Sequence, residues 1–400
     1  MKKILYNYTR QLFLLSVTLI WLQACEKDEV SAPVITGIIN YAPSPDDTVL
    51  QSLTPGQWVV VNGHNLQDAL QISFNGVPAN FNNGLFSDSY AVVQVPAVIP
   101  FPSIPAEKLN TIQYFTSHGS ATFEFNIVAP APTIASISNE NANTGDSVYI
   151  YGTNLFLLTK ISFAGVPITA YTSSVNGTSV GFVLPELTQS GPVIVANQSG
   201  ADSTAFNVND ASTGVLCDFD NINTLSWGTG TDNSSTNFPG NKGSYAVLNN
   251  AVLSGGDASW WNWQRSINTN AVQWVPANNM SDPVGDYAFK FEINVPDAWK
   301  GTSIVVLKDY TWTYVAPYEP WKDANGNTFS YSTKGWRTVT LPLSGFRKDN
   351  GTGVAVTSLT DLLGSTGNGS VNIYTINSAG TPTATGLVAA IDNIRVVKIK

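Results

Sequence analysis

The residues of this 400-residue chain whose type and spacing could do chemistry are aromatic. They form one cluster at Trp260-Trp261-Asn262-Trp263 and another at Tyr310, Trp312 and Tyr314, followed by Tyr318 and Trp321. Nine of the eleven tryptophans follow residue 220, so the aromatic surface belongs to the C-terminal half. Aromatic rings lie against the C–H faces of sugar rings, while amides, carboxylates and guanidinium groups take the hydroxyls. Residues two apart on a strand share a face. A strand running through 304–314 would line up Tyr310, Trp312 and Tyr314 over about 13 Å, room for about two or three sugar rings. By the same alternation Trp261, Trp263 and Arg265 share a face, with Trp260 on the other side. Pro317 and Pro320 would fix a loop presenting Tyr318 and Trp321, with Glu319 as an acceptor for hydroxyls. Trp299 and Trp336 read as packing residues, and Trp227 fits either role.

Other chemistries lack their residues. A glycoside hydrolase needs two carboxylates about 5–10 Å apart. Beyond residue 211 the only glutamates are Glu292, which alternates with Phe289, Phe291 and Ile293 in a strand, and Glu319. These two are the candidates for the enzymatic alternative, a surface hydrolase. A further alternative is an adhesive or structural protein whose aromatics meet another protein. Both histidines, His64 and His118, lie far from the aromatic clusters in sequence, and no Cys/His cluster or phosphate loop occurs. Charged residues make up 12% of the chain against about 25% in ordinary soluble proteins. The net charge of −9, without basic runs, argues against nucleic acid or anionic lipid as partners.

The N-terminus reads as an address. Lys2, Lys3 and Arg10 precede an apolar run from Gln11 to Leu22 that is too short to span a bilayer comfortably. Leu22-Gln23-Ala24-Cys25 resembles a bacterial lipobox, which makes Cys25 the acylated residue. Glu26-Lys27-Asp28-Glu29 resembles the export signal of Bacteroidetes surface lipoproteins. Cys217 is then the only other cysteine, which leaves no intrachain disulfide.

An internal repeat at an offset of 89 residues sets the organisation. The segment from Gly56 through Gly63 to Leu66 aligns with that from Gly145 through Gly152 to Leu155, and Ile72 to Pro78 aligns with Ile161 to Pro167. Alternating Val and Ile predict strands with one buried face. Gly63 and Gly152 fall where a turn calls for positive φ, with Asn65 and Asn154 bonding their own backbone. Both units resemble IPT/TIG domains, immunoglobulin-like sandwiches, and the resemblance implies spacers. From residue 211 the alternation continues with aromatic loops and only short helical turns near Leu359 to Leu363, which predicts one larger jelly-roll-like β-sandwich. Its opening Cys217-Asp218-Phe219-Asp220 and closing Ile391 to Arg395 resemble the paired terminal strands of carbohydrate-binding jelly rolls.

The fold class expected is therefore all-β. The segments are a signal peptide (1–24), an export signal and linker (25–32), IPT/TIG sandwiches at 33–130 and 131–210, and the jelly-roll-like domain at 211–400. The join at 130–132 reads as stiff and that at 210–214 as flexible. The whole arrangement resembles the surface glycan-binding lipoproteins of Bacteroidetes polysaccharide-utilisation loci. That resemblance implies a non-catalytic, outer-membrane, lipid-anchored protein that holds a neutral polysaccharide (β-glucan, xyloglucan or mannan) for a SusC-like transporter and a SusD-like binder. It implies no required cofactor. Jelly rolls of this kind often carry a structural calcium, for which Asp218, Asp220 and Asp392 would be the oxygen donors.

Overall fold

The computed structural model describes residues 31–255, 263–377 and 381–400. Cys25, the lipobox and the export signal lie outside the described residues, as do Trp260 and Trp261, and Trp263 is described in its backbone only. The chain divides into two compact units, one ending at Ala129 and one running from Pro130 to Lys400.

The first unit is a sandwich of two four-stranded sheets. One sheet orders Val34–Asn40, Trp58–His64, Tyr90–Gln94 and Phe81–Phe86, and the other Val77–Pro78, Ala69–Phe74, Thr111–Thr116 and Gly119–Glu124. Val59 and Val61 point inward from alternate positions of their strand, as the pattern requires.

The second unit opens with a module of the same strand order. Thr133–Ile137, Ser147–Thr153, Ser179–Val183 and Thr172–Ser173 form one sheet, and Val166–Pro167, Lys160–Phe163, Val193–Asn197 and Gly200–Ser203 the other. The sequence repeat is thus a repeat of topology. Its glycines act differently from the expectation. Gly63 and Gly152 sit inside strands at ordinary φ, and a Cβ there would collide with the carbonyl oxygens of Val34 and Thr133. Glycine is required by close backbone approach at a bulge. The positive φ belongs instead to Asn65 (56°) and Asn154 (54°). Their amides donate across to Ala32 O (3.1 Å) and Ala131 O (3.0 Å), so each ties its turn to the segment that enters the module.

The remainder of the second unit is a larger sandwich. A back sheet orders Thr231–Asp232, Tyr245–Leu253, Thr383–Lys398, Tyr287–Asn294 and Arg337–Pro342, with Val215–Cys217 also pairing to Thr383–Lys398. A front sheet orders Leu225–Gly228, Ser266–Thr269, Val371–Ile376, Ser303–Lys308 and Val315–Tyr318. Between them lie Phe289, Phe291 and Ile293 from the back sheet and Ile267, Ile304, Val306 and Ile373 from the front, joined by Trp274, Trp299 and Trp321. Trp336 packs edge-on against Tyr245 in a smaller cluster. Cys217 is buried and unbonded. The helical turn Leu359–Leu363 buries its leucines and is capped by Ser358, whose side chain accepts from the Asp361 N–H. Among the described residues no helix is long and apolar enough to cross a membrane.

The outward positions of the back sheet carry charge, and the second module covers them. Glu140 of that module meets Lys290 at 2.6 Å and Arg395 at 2.8 Å, while Arg395 also meets Glu292 at 2.8 Å. All four side chains are buried. Asn141 donates to Glu292 (3.2 Å), and the Lys290 ammonium sits 3.4 Å from the centroid of the Phe206 ring. Desolvation draws the Lys290 ammonium below its ordinary range despite Glu140 beside it. The segment expected to be a flexible join is a pinned turn: Asp210 Oδ1 accepts from Ser212 N (2.9 Å), Ser212 Oγ (2.8 Å) and Thr213 N (3.0 Å), and Gly214 O accepts from Val396 N (2.9 Å). The reason is tertiary, because a short polar segment cannot swing when the charges on either side of it are locked.

Removing one member of a buried ion cluster strands the others, which typically costs about 3–5 kcal/mol. Arg395→Met is therefore expected to lower the unfolding free energy of the second unit by about that amount in a denaturant titration, and to open residues 210–214 to limited proteolysis. Unchanged stability and resistance at 210–214 would show that the cluster does not join the modules.

Candidate functional site

The outward face of the front sheet is the opposite of charged. Register places its side chains in two rungs across the strands. Trp227 faces Asn268, Asn268 faces Asn372, and Asn372 faces Leu307, while in the next rung Ser266 faces Tyr374 and Tyr374 faces Val305. Inward-pointing Ile267, Ile373 and Val306 alternate with them, so the same strands that build the core display this face. Trp227 to Leu307 spans three inter-strand spacings, about 14 Å.

Tyr310 and Trp312 complete a groove of about 330 Å³ over these rungs, lined by Trp227, Ser266, Asn268, Leu307, Asn372 and Tyr374. None of the lining residues is charged at neutral pH. Trp227 and Tyr310 are 45% and 41% exposed, enough open ring area to receive a ligand. The groups are braced. Trp312 meets Tyr374 edge-on (6.1 Å, 87°). The Tyr310 hydroxyl donates to Thr269 O (2.5 Å) and lies 3.1 Å from Ser226 Oγ. Asn372 donates to Asn268, which donates to Trp227 O (3.2 Å). The arrangement sets the open rings of Trp227 and Tyr310 and the half-buried ring of Trp312 over a floor in which Ser266, Asn268, Asn372 and Tyr374 are buried, with no carboxylate pair within it.

The structure distributes the sequence candidates unevenly. Tyr310 and Trp312 line the groove, but not as a continuous strand. Asp309 and Tyr310 take positive φ (60° and 59°) and turn the chain back into a hairpin, in which Leu307 pairs with Val315. Asp309 holds the turn by accepting from Ser370 N (2.9 Å). Tyr314 therefore leaves the row; its hydroxyl donates to Asp361 (2.8 Å) and its ring packs on the core. Tyr318 packs against Phe291 and Trp299, and burial pushes its hydroxyl pKa well up. Trp321 is a core residue, 8% exposed, with its indole N–H on Thr302 O (2.8 Å). Arg265 is buried beneath the Tyr374 ring (4.9 Å) and donates to Thr375 O (2.8 Å), so it supports a ring and does not reach outward. Glu319 accepts from Ser303 and pairs with Lys322 (3.4 Å), apart from the groove. The other enzymatic candidate, Glu292, is neutralised by Arg395 at the module junction.

Residues missed in the sequence are Ser266, Asn268, Asn372 and Tyr374, and Trp227 had no assignment. Their signal was alternation: in Val371-Asn372-Ile373-Tyr374 the amide and the phenol occupy the face that the aliphatics leave.

The three aspartates do not assemble a calcium site. Among the described residues no group of three or more His, Cys, Asp or Glu is placed to hold a metal ion. Asp218 Oδ1 accepts from Asp220 N (3.0 Å) and Ile222 N (2.7 Å), and Asp220 accepts from Ser244 N (3.0 Å). Asp392 is buried, and desolvation, with Glu292 and the other two aspartates nearby, pushes its pKa up to about 8.

Residues 208–398 match the family model of the surface glycan-binding protein B xyloglucan binding domain, and residues 132–213 that of the IPT/TIG domain. The chain thus carries a surface glycan-binding protein B domain behind an IPT/TIG domain. An IPT/TIG domain-containing protein of Bacteroides ovatus is 27% identical over 160 residues, 38% of this chain and 33% of that protein. The chain therefore spans about a third of the length of the curated relative it matches. The surface glycan-binding protein PbSGBP-B of Prevotella bryantii superposes with a TM-score of 0.69 at 22% identity, covering 92% of this chain and 99% of that one. The SGBP-B from a complex xyloglucan utilization locus in Bacteroides uniformis gives 0.52 at 18% identity, covering 92% and 100%. At these identities the likeness establishes the shared fold.

The Asp392 carboxyl gives a pH test. Its folded pKa of about 8 lies above the ordinary 3.8, so the folded state holds a proton that the unfolded state has released. Its stabilising effect is complete below about pH 4 and is lost as pH rises through 8. Stability is expected to fall across that window, and Asp392→Asn to flatten the slope while EDTA leaves the unfolding temperature unchanged. A slope retained in the variant, or a drop with EDTA, would contradict this assignment.

Proposed function

We propose that this chain is a non-catalytic, cell-surface polysaccharide-binding lipoprotein, anchored in the outer membrane through Cys25. In this reading it holds a neutral β-linked glycan, xyloglucan foremost, for a SusC-like transporter and a SusD-like binder. The observation that carries the reading is the uncharged groove in which Trp227, Tyr310, Trp312 and Tyr374 stand beside Asn268 and Asn372. Apolar rings suit the C–H faces of equatorially linked sugars, and Asn372, whose amide nitrogen is held by the buried Asn268, suits their hydroxyls with its oxygen. A groove without ionised groups favours a neutral ligand, since any charge entering it would be desolvated without a partner. Xyloglucan comes first because the matching domain family is described by that polymer and the Bacteroides uniformis protein comes from a xyloglucan utilization locus. β-Glucan and mannan are the next candidates by ring geometry. The groove lies on the face of the sandwich opposite the second module, open to a long polymer from outside.

Native affinity gels of residues 26–400 against xyloglucan, barley β-glucan, laminarin, glucomannan, galactomannan and xylan test the reading. Retention by xyloglucan is expected, with Trp312→Ala weakening it about thirtyfold, the equivalent of about 2 kcal/mol at a binding hot spot. Trp321→Ala is expected to act on folding, with a loss of about 3–5 kcal/mol. Failure of every neutral polymer to retard the protein, or undiminished binding by Trp312→Ala, would sink it.

A further inference from the structure

A second aromatic surface lies at the junction of the IPT/TIG module with the glycan-binding domain. Tyr149 and Tyr151 occupy outward positions of the strand Ser147–Thr153, with nearly parallel rings 6.3 Å apart (17°). They are 40% and 42% exposed, and among the described residues neither phenol hydroxyl has a protein partner. The Tyr149 ring lies across Gly181 on the neighbouring strand, where a Cβ would come within 2.7 Å of it. The two rings form one wall of a hollow of about 720 Å³. Tyr331, Lys334 and Arg337 line it from the other module, and its lining contains no carboxylate. On the far side of Tyr149 a further hollow of about 700 Å³ continues past Tyr171 between serine and threonine hydroxyls.

The first module provides an internal control. It has the same strand order, and at the same offset the inward Val148 and Ile150 correspond to Val59 and Val61. The outward Tyr149, Tyr151 and Gly181 correspond instead to Val60, Asn62 and Val92. The sandwich therefore forms without the tyrosine pair or the glycine beneath it, and packing within the module does not account for them. Nor does the module junction bury them, since it closes through Glu140 and leaves the rings open.

We infer that this junction is a second polysaccharide-binding site, in which Tyr149 and Tyr151 form a platform for a sugar chain and Arg337 donates to its hydroxyls. The ligand is the neutral glycan of the front-sheet groove, so the inference rests on the function proposed above. The buried ion cluster fixes the hollow's shape, because Thr338, beside Arg337 in sequence, donates to Glu292 (3.0 Å) and accepts from Glu140 N (2.8 Å). Two sites on one rigid unit would hold a polymer more tightly than a fragment reaching only one of them.

The test replaces the pair with the first module's own residues, Tyr149→Val with Tyr151→Asn, a change that this sandwich is expected to tolerate. Arg337→Gln, from the facing module, is a separate probe, and thermal unfolding checks that each variant is folded. Binding of xyloglucan polymer and of a xyloglucan oligosaccharide is measured by calorimetry on residues 26–400. Both variants are expected to weaken polymer binding about tenfold and leave oligosaccharide binding unchanged. Trp312→Ala is expected to weaken oligosaccharide binding about thirtyfold, as at the front-sheet groove, while leaving weak polymer retention that the tyrosine exchange lowers further. Polymer binding equal to wild type in both folded variants would overturn the second site alone, as would equal weakening for polymer and oligosaccharide. A wild-type protein that binds no glycan would take down the function proposed above, and this inference with it.

Discussion

The arrangement of the second unit depends on one buried set of charges. Glu140, Lys290, Glu292 and Arg395 balance in sign and pair at 2.6–2.8 Å, in a place where any one of them alone would be costly to desolvate. Such a set tolerates little displacement, because each charge keeps its partners only in one relative placement of the two modules. The energy gained over an apolar contact is small by the usual reckoning for buried ion pairs, and what the set provides is geometry. It covers the back sheet's outward face with the second module and leaves the front sheet's outward face free. The pinned turn at Asp210 follows from the same constraint.

On the free face, rigidity takes a different form. Strands carry the amides, and the rings brace one another: Trp312 on Tyr374, Tyr374 over Arg265, Tyr310 on Thr269. A ring already held by neighbours loses little freedom when a ligand arrives, so more of the contact energy appears as affinity. This is a sufficient role for a buried arginine that touches no ligand. In the proposed function, a half-buried Trp312 has the advantage that a fully exposed one would lose more entropy on binding.

Much of this fold is legible in the sequence because burial writes a period of two. The 89-residue repeat, the alternation in Tyr287–Asn294 and Val371–Ile376 and the helical turn at Leu359–Leu363 all report which residues face a core. What alternation does not report is where a strand stops. Lys308 runs into Asp309 and Tyr310 without a glycine or proline to mark a reversal, and the turn exists because Asp309 finds Ser370 across the sheet. A row of three aromatics that looks continuous is thus broken, and Tyr314 points elsewhere. Trp321 misleads for a related reason: polar neighbours and flanking prolines describe its loop, while its ring reaches the core and finds Thr302 O. The three aspartates share a region, yet among the described residues no three such side chains are placed to hold a metal, a placement that sequence proximity alone does not report.

Outward positions are where function enters such sandwiches, because the fold constrains them least. One pattern of inward Val, Ile and Phe serves both sheets of the C-terminal sandwich, yet the outward sets differ in kind. Lys290, Glu292 and Arg395 on one sheet can be buried only against complementary charge, which selects a protein partner from the same chain. Trp227, Asn268, Asn372 and Tyr374 on the other bring no net charge and no flexible head group, which suits the neutral, flat-faced ligand of the proposed function. The repeat makes the same point within a smaller fold. Val59 and Val61 match Val148 and Ile150 in burial and direction, while Val60 and Asn62 give way to Tyr149 and Tyr151. Two sandwiches with one core pattern thus differ in what they can touch.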